Sequence, residues 1–185
     1  MKARSRAAAI AFLAAIAAGG AQASPGLLLN ADFEAGAVPG RACPASWSCS
    51  QHSDPHAFAF ELSSGAGARG RFLKVTRVKP EPWAMAVQAL PGADFAGKRL
   101  SLSVAVHGEA LEGAAGPGIG LHGPGGRVLA HRKSLLKRGG GWRRATVEID
   151  VVPGTERVEC ALIIEGGGSA GFDDVEAAVA PRAGA

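Results

Sequence analysis

The sequence predicts an all-β fold, an antiparallel sandwich of two sheets, and three observations predict it. Apolar residues recur with a period of two in short runs, the pattern of strands with one face in a core and one in water. Turn formers separate those runs, with 27 Gly and 11 Pro among 185 residues. No segment carries the apolar spacing of a helix; the pair Leu135-Leu136, between Lys133 and Lys137, is too short.

The strand candidates follow in order along the chain. Phe58, Phe60 and Leu62 alternate, as do Leu73, Val75 and, with a slip, Val78. Met85, Val87 and Ala89 alternate with Ala86, Gln88 and Leu90. Leu100, Leu102, Val104 and Val106 share one face, with Ser101, Ser103, Ala105 and His107 on the other. Ala145, Val147, Ile149 and Val151 alternate with Arg144, Thr146, Glu148 and Asp150. Val158, Cys160, Leu162 and Ile164 form the next face, and Phe172-Asp173-Asp174-Val175 closes the set. The separators are Gly65 to Gly70, Pro80-Glu81-Pro82, Pro91-Gly92, Gly113 to Gly126, Gly139 to Gly141, Pro153-Gly154 and Gly166 to Gly168. About eight short strands broken this often read as a sandwich or barrel. Residues 180–185 are expected to fray as a disordered tail.

The first residues predict export. Lys2, Arg4 and Arg6 form a positive start, Ala7 to Ala18 is apolar, and Ala21-Gln22-Ala23 has small residues at the positions a signal peptidase reads. The apolar run is too short to span a bilayer, which takes roughly 20 residues. Residues 1–23 are therefore expected to be a signal peptide and residues 24–179 one domain, periplasmic or secreted. The formal charge of +4 misleads, because three of the 20 basic residues lie in the leader and none of the 16 acidic ones does. The remainder stands at +1, so net charge gives a nucleic-acid partner no support. Nothing after the leader is apolar enough for a membrane span.

Three cysteines are present. In an oxidising compartment Cys43 and Cys49, flanking Pro-Ala-Ser-Trp-Ser, are the expected disulfide, with two other pairings formally open. So short a loop gives a modest stabilisation, on the order of 2 kcal/mol, and the bond shapes the loop that carries Trp47. Cys160 reads as a small buried core residue.

Several motifs fit a pattern without its context. Gly118-Ile119-Gly120-Leu121-His122-Gly123 matches G-x-G-x-x-G, but Pro124-Gly125-Gly126 follows and opens no helix, so it reads as a Gly-rich turn entering a strand. Gly167-Gly168-Ser169-Ala170-Gly171 matches G-x-S-x-G, but that nucleophile needs a later His, and the last is His131. His52, Asp54 and His56 have metal-ligand spacing with Pro55 inside it, which suits an exposed loop. Glu148 and Asp150 share a strand face, a spacing common on solvated faces, and no acid has an apolar setting that marks a catalytic pair. No catalytic residue is predicted.

Two separated stretches carry a resemblance. Leu28-Leu29-Asn30-Ala31-Asp32-Phe33-Glu34, then Gly36 and Trp47, stands at one end; Gly171-Phe172-Asp173-Asp174-Val175 stands at the other. Between them come Val87-Gln88-Ala89-Leu90-Pro91, Gly97 to Ser103, and Gly141-Trp142 to Val147. This order resembles the galactose-binding-like jelly-roll domains, and among them the secreted carbohydrate-binding modules of bacterial xylanases and endoglucanases. The resemblance implies a jelly-roll sandwich that binds a polysaccharide or cell-surface glycan without catalysis. It implies a structural calcium near the chain ends, held by the Asp32 carbonyl, Glu34 and an acid of Asp173-Asp174; the family often has Gly where Ala31 stands. Sugars need aromatic platforms. The chain has three Trp and no Tyr, so Trp83 and Trp47 are the expected platforms, with Gln88, Arg144 and Glu148 adding hydrogen bonds and Trp142 packing. Two readings compete with this one. One is an envelope or secreted structural protein that keeps the fold, partners another envelope protein and has lost sugar binding. The other is a small jelly-roll lyase, whose Gln-x-His motif and tyrosine are missing here.

Overall fold

The structure is a computed structural model that describes residues 26–36, 43–65, 68 and 70–182. The expected signal peptide, residues 1–23, lies outside the described residues. Eleven strands follow in order: β1 Ser48–Gln51, β2 Phe58–Ser64, β3 Arg71–Arg77, β4 Trp83–Pro91, β5 Lys98–Glu109, β6 Ala114–His122, β7 Val128–Lys133, β8 Leu136–Lys137, β9 Gly140–Asp150, β10 Arg157–Glu165 and β11 Ser169–Pro181. Two single 3-10 turns, Gly92–Phe95 and Pro124–Gly126, are the only helical elements among the described residues. All pairings are antiparallel. One sheet runs β1-β4-β10-β6-β7, with β8 also on β6; the other runs β2-β3-β11-β5-β9.

The period-two runs become the core. Leu100, Leu102, Val104 and Val106 of β5 and Val158, Cys160, Leu162 and Ile164 of β10 belong to one core between the two sheets, all buried. In β11 the phase slips once. A bulge between Asp173 and Glu176 sets Asp174 at φ 47° and lets both Phe172 and Val175 face inward. β11 continues through Ala180 and Pro181, paired with Arg99 and Lys98, where a frayed tail was expected.

The stretch from Gly113 to Gly126, read as a separator, instead holds the interior strand β6, between β10 and β7. Glycine there answers to crowding on the outward side. A Cβ on Gly116 would overlap the Ser134 carbonyl, and one on Gly118 would lie 2.5 Å from Ile163 Cδ1. Alternation survives on the inward side, where Ala115, Ile119 and Leu121 are buried.

The N-terminal segment plugs one end of the sandwich. Leu28 and Phe33 are buried in the common core. The Val175 N–H donates to the Ala31 carbonyl at 3.0 Å. Asn30 donates through Nδ2 to the Ala45 carbonyl and accepts from the Ala35 N–H, both at 2.9 Å.

Gly116→Ala is expected to destabilise the fold by about 1–3 kcal/mol, because the obstructing atom is backbone. Gly118→Ala is expected to cost less, because the Ile163 tip can turn aside. Urea denaturation of both variants checks the order; equal losses would show that close approach to Ser134 is not the constraint.

Candidate functional site

The outward face of the β1-β4-β10-β6-β7 sheet carries a groove with an apolar floor. Strand phase puts Met85 and Val87 of β4 beside Ile163 and Ala161 of β10, and these beside Gly116 and Gly118 of β6. Three successive outward positions without side chains, Gly116, Gly118 and Gly120, leave room for a trough closed at one end by His122. The trough encloses about 240 Å³, floored by Met85, Ala161 and Ile163 and walled by His122, Glu159 and His131. The His122 Nε2 lies 2.9 Å from Glu159 Oε2, and Arg157 reaches Glu159 Oε1 at 3.0 Å. Along the same sheet Lys133 pairs with Glu165. An apolar floor with a few fixed polar groups suits a ligand that has both C–H faces and hydroxyls.

Trp83 belongs to this face. It has the outward phase of Met85 and stands opposite Glu165 on β10. Its ring is edge-on to His52, with centroids 5.9 Å apart, and His52 in turn meets Glu81 at 2.8 Å. A larger open dent of about 610 Å³ lies by the disulfide, lined by Ser48, Ser50, Gln51 and Phe60.

The other expected contact residues do not join Trp83. Trp47 is 5 % exposed; its Nε1 donates to the Asn30 carbonyl at 3.0 Å and its ring tilts onto Phe33 at 5.6 Å. It is part of the terminal plug. Gln88 is 7 % exposed and faces inward; its Oε1 accepts the Leu29 N–H at 2.9 Å while its Nε2 donates to the Leu29 carbonyl. Gln88 is closed to a ligand, whereas the small exposed edge of Trp47 contributes to the wall of the dent by the disulfide, away from Trp83. Arg144 and Glu148 lie on the outward face of the opposite sheet. There Arg144 donates to Ser103 Oγ at 2.9 Å and pairs with Glu176, and Glu148 sits 3.8 Å from Arg99. Trp142 packs on that face, edge-on to Phe72 at 5.3 Å and near His107.

The disulfide Cys43–Cys49 is present, and Cys160 is free and buried. Burial pushes the Cys160 thiol up to about 12. His122, Glu159 and the glycines of β6 were missed as site residues, although His122 and Gly120 stood inside the G-x-G-x-x-G match.

The four acids at the chain ends come near one another without closing a cage. Asp32 Oδ1 accepts the Glu34 N–H at 3.2 Å, Glu34 Oε1 accepts the Arg71 N–H at 2.6 Å, and Asp173 Oδ1 accepts the Asp174 N–H at 2.8 Å. Asp173 is 8 % exposed. Burial, and then the charges of Asp174, Glu34 and Asp32, raise its carboxyl above the ordinary aspartate value, against the Asp174 N–H that lowers it. Among the described residues no three His, Cys, Asp or Glu side chains are grouped to hold a metal. The donors are the hard oxygens calcium takes, but as they stand they do not converge on it.

No family profile matches the chain, and no curated protein matches its sequence. Solved structures do match its shape. The C-terminal family 22 carbohydrate-binding module of Clostridium thermocellum Xyn10B superposes with a TM-score of 0.58 at 16 % identity, over 80 % of this chain and 91 % of that one. The CBM22-1 xylan-binding domain of Paenibacillus barcinonensis Xyn10C gives 0.57 at 11 %, over 82 % and 93 %. The enzymatically active domain of the bacteriophage CBA120 tailspike protein 4 gives 0.56 at 13 %, and this chain spans only 20 % of its length. At such identities the likeness bears on architecture alone, and together with the two antiparallel sheets it gives this chain a jelly-roll β-sandwich fold.

Proposed function

We propose that the protein is an exported, non-catalytic carbohydrate-binding-like module that takes a polysaccharide or cell-surface glycan in the trough over β6. The observation that carries this reading is the trough itself. Its apolar floor of Met85, Ala161 and Ile163 lies under the polar pair His122–Glu159, with Trp83 on the same sheet face. A pyranose ring lays C–H groups on an apolar or aromatic surface while fixed polar groups take its hydroxyls. The xylan-binding fold of the Paenibacillus domain supports the substrate class. Arg144 and Glu148, on the opposite face, take no part in it. A second reading, an envelope or secreted interaction protein without sugar binding, draws support from the burial of Trp47, which leaves the trough short of aromatic surface.

Affinity electrophoresis against xylan and other soluble glycans, preceded by a glycan array, separates the two. Retardation by at least one glycan is expected. His122→Ala combined with Glu159→Gln should weaken that binding about tenfold, the worth of one or two hydrogen bonds. Arg144→Ala and Glu148→Ala should leave it unchanged. An array with no neutral or charged glycan bound would favour the interaction protein.

Calcium at the plugged end is a proposal as well: Asp32, Glu34, Asp173 and Asp174 would hold it once Glu34 turns from the Arg71 N–H. At a hundredfold excess over its Kd, calcium should raise the Tm by roughly 5–10 °C, and chelator should reverse this. No response in a calorimeter or dye melt would remove the metal from the account.

Asp173 gives a separate test in chelator. Its folded-state pKa is raised, so ionising it opposes folding. The stability associated with the neutral group is complete below the ordinary aspartate value and is lost as pH rises through the raised one. Asp173→Asn, which keeps an oxygen for the Asp174 N–H, should therefore raise the Tm at about pH 7 and lose that gain near pH 3. The same variant should abolish the response to calcium.

A further inference from the structure

β7 and β9 are the outer strands of the two sheets on the same side of the sandwich, so an open seam runs between them. From Arg127 to Val147 the chain carries seven Lys or Arg and no Asp or Glu. Lys133 and Arg144 have carboxylate partners in Glu165 and Glu176. Arg127, Arg132, Lys137, Arg138 and Arg143 are exposed and make no ion pair among the described residues. Arg143 Nη2 donates only to the Arg138 carbonyl, at 3.0 Å.

Their phase matters. Arg132 stands opposite Ile119 of β6 and Arg143 opposite Val106 of β5, both core-facing positions. Exposed arginines at core-facing positions mark where the sandwich gapes, and they put charge at its mouth. Cavities of about 660 and about 300 Å³ open there, sharing Arg132 and Glu148 and including Lys133, Ser134 and Thr146. The seam also holds carboxylates. Asp150 is neutralised by Arg99 at 2.7 Å and Arg182 at 3.5 Å, and Glu148 lies 3.8 Å from Arg99.

Edge strands often carry charge simply to resist pairing with another sheet. That need would apply equally to the opposite side, yet β1 has no charged residue and β2 only Glu61. One side is thus strongly cationic and the other is not. We propose that the β7–β9 seam binds an acidic polysaccharide, a linear chain bearing carboxylates, along its row of unpaired guanidinium and ammonium groups. This rests on the carbohydrate reading and deepens it, at a surface that adjoins the trough over β6, with His131, Arg132 and Lys133 of β7 lining both. Arginine is suited to the role because its planar fork takes a carboxylate through two parallel hydrogen bonds. Ser134 and Thr146 supply neutral partners for hydroxyls between the charges.

The test uses the exported protein with polygalacturonate, heparin, neutral xylan and a DNA duplex of about 20 base pairs as probes, by titration calorimetry or affinity electrophoresis. Binding to polygalacturonate is expected to weaken about tenfold between roughly 50 and 300 mM salt, as screening shortens the reach of the charges. Arg138→Gln with Arg143→Gln, both outside the trough lining, should weaken it by about tenfold or more, with the Tm unchanged. Lys79→Gln, which removes a charge outside the seam, should have no effect. Neutral xylan, if bound by the wild type, should bind the double variant equally. Polygalacturonate affinity unaltered by the double variant would overturn the proposal, as would tighter binding to DNA than to either polygalacturonate or heparin at equal salt. Polygalacturonate binding that the double variant loses, with xylan unbound throughout, would sink the trough and leave the seam standing.

Discussion

A buried amide, with the side chains of Leu28 and Phe33 in the core, ties the N-terminal segment to the sandwich. Gln88 points into the core from β4, a placement that costs free energy unless its oxygen and nitrogen are both paired. The Leu29 backbone pairs both, donor to acceptor and acceptor to donor. From that anchor the rest of the plug follows. Asn30 stands at φ 48° beside it, offering its carbonyl to Trp47, and Ala31 meets Val175 at the bulge of β11. Phe33 then fills the space beneath Trp47. Removing the amide leaves two backbone groups unpaired at about 1–3 kcal/mol each, and loosens the segment that seals one end of both sheets.

Residues that a binding module would turn toward its ligand are spent here on closure. Gln88 and Trp47 carry chemistry that suits a sugar, and nothing in a linear sequence separates an inward amide from an outward one on an alternating strand. The decision lies with the partner. Leu29 is 59 residues away from Gln88, and its backbone is invisible to any reading of side-chain pattern. Arg144 and Glu148 were placed correctly on a polar face, but which sheet owns that face depends on the pairing of β9 with β5.

What the alternation could show, it showed well. Strands β5 and β9 alternate apolar and polar residues and appear where that alternation lies, while β10 keeps an apolar inward set, Val158, Cys160, Leu162 and Ile164, within a run that is apolar on both faces from Cys160 to Ile164. β6 was hidden because its outward positions are glycines, which read as a turn in isolation. Their cause is nonlocal: Ser134 and Ile163 occupy the volume where side chains would stand. Gly118 and Gly120 also line the trough, so the strand that was hardest to read is the one that shapes the candidate site. The cationic seam was obscured for a different reason. Net charge averages over the whole chain, whereas the seam depends on which two strands end their sheets side by side.

Cys160 has a consequence for how the chain acquires its covalent form. An odd thiol in an oxidising compartment invites mispairing while the chain is still open. Cys43 and Cys49 are six residues apart, and Cys160 is roughly 110 residues beyond them. Loop-closure entropy alone favours the near pairing by roughly 2–3 kcal/mol. Once β10 docks, the surviving thiol is enclosed and stays protonated, so it cannot attack the bond that has formed. Oxidative maturation is thereby biased toward one product twice over, first by proximity in the unfolded chain and then by concealment in the folded one.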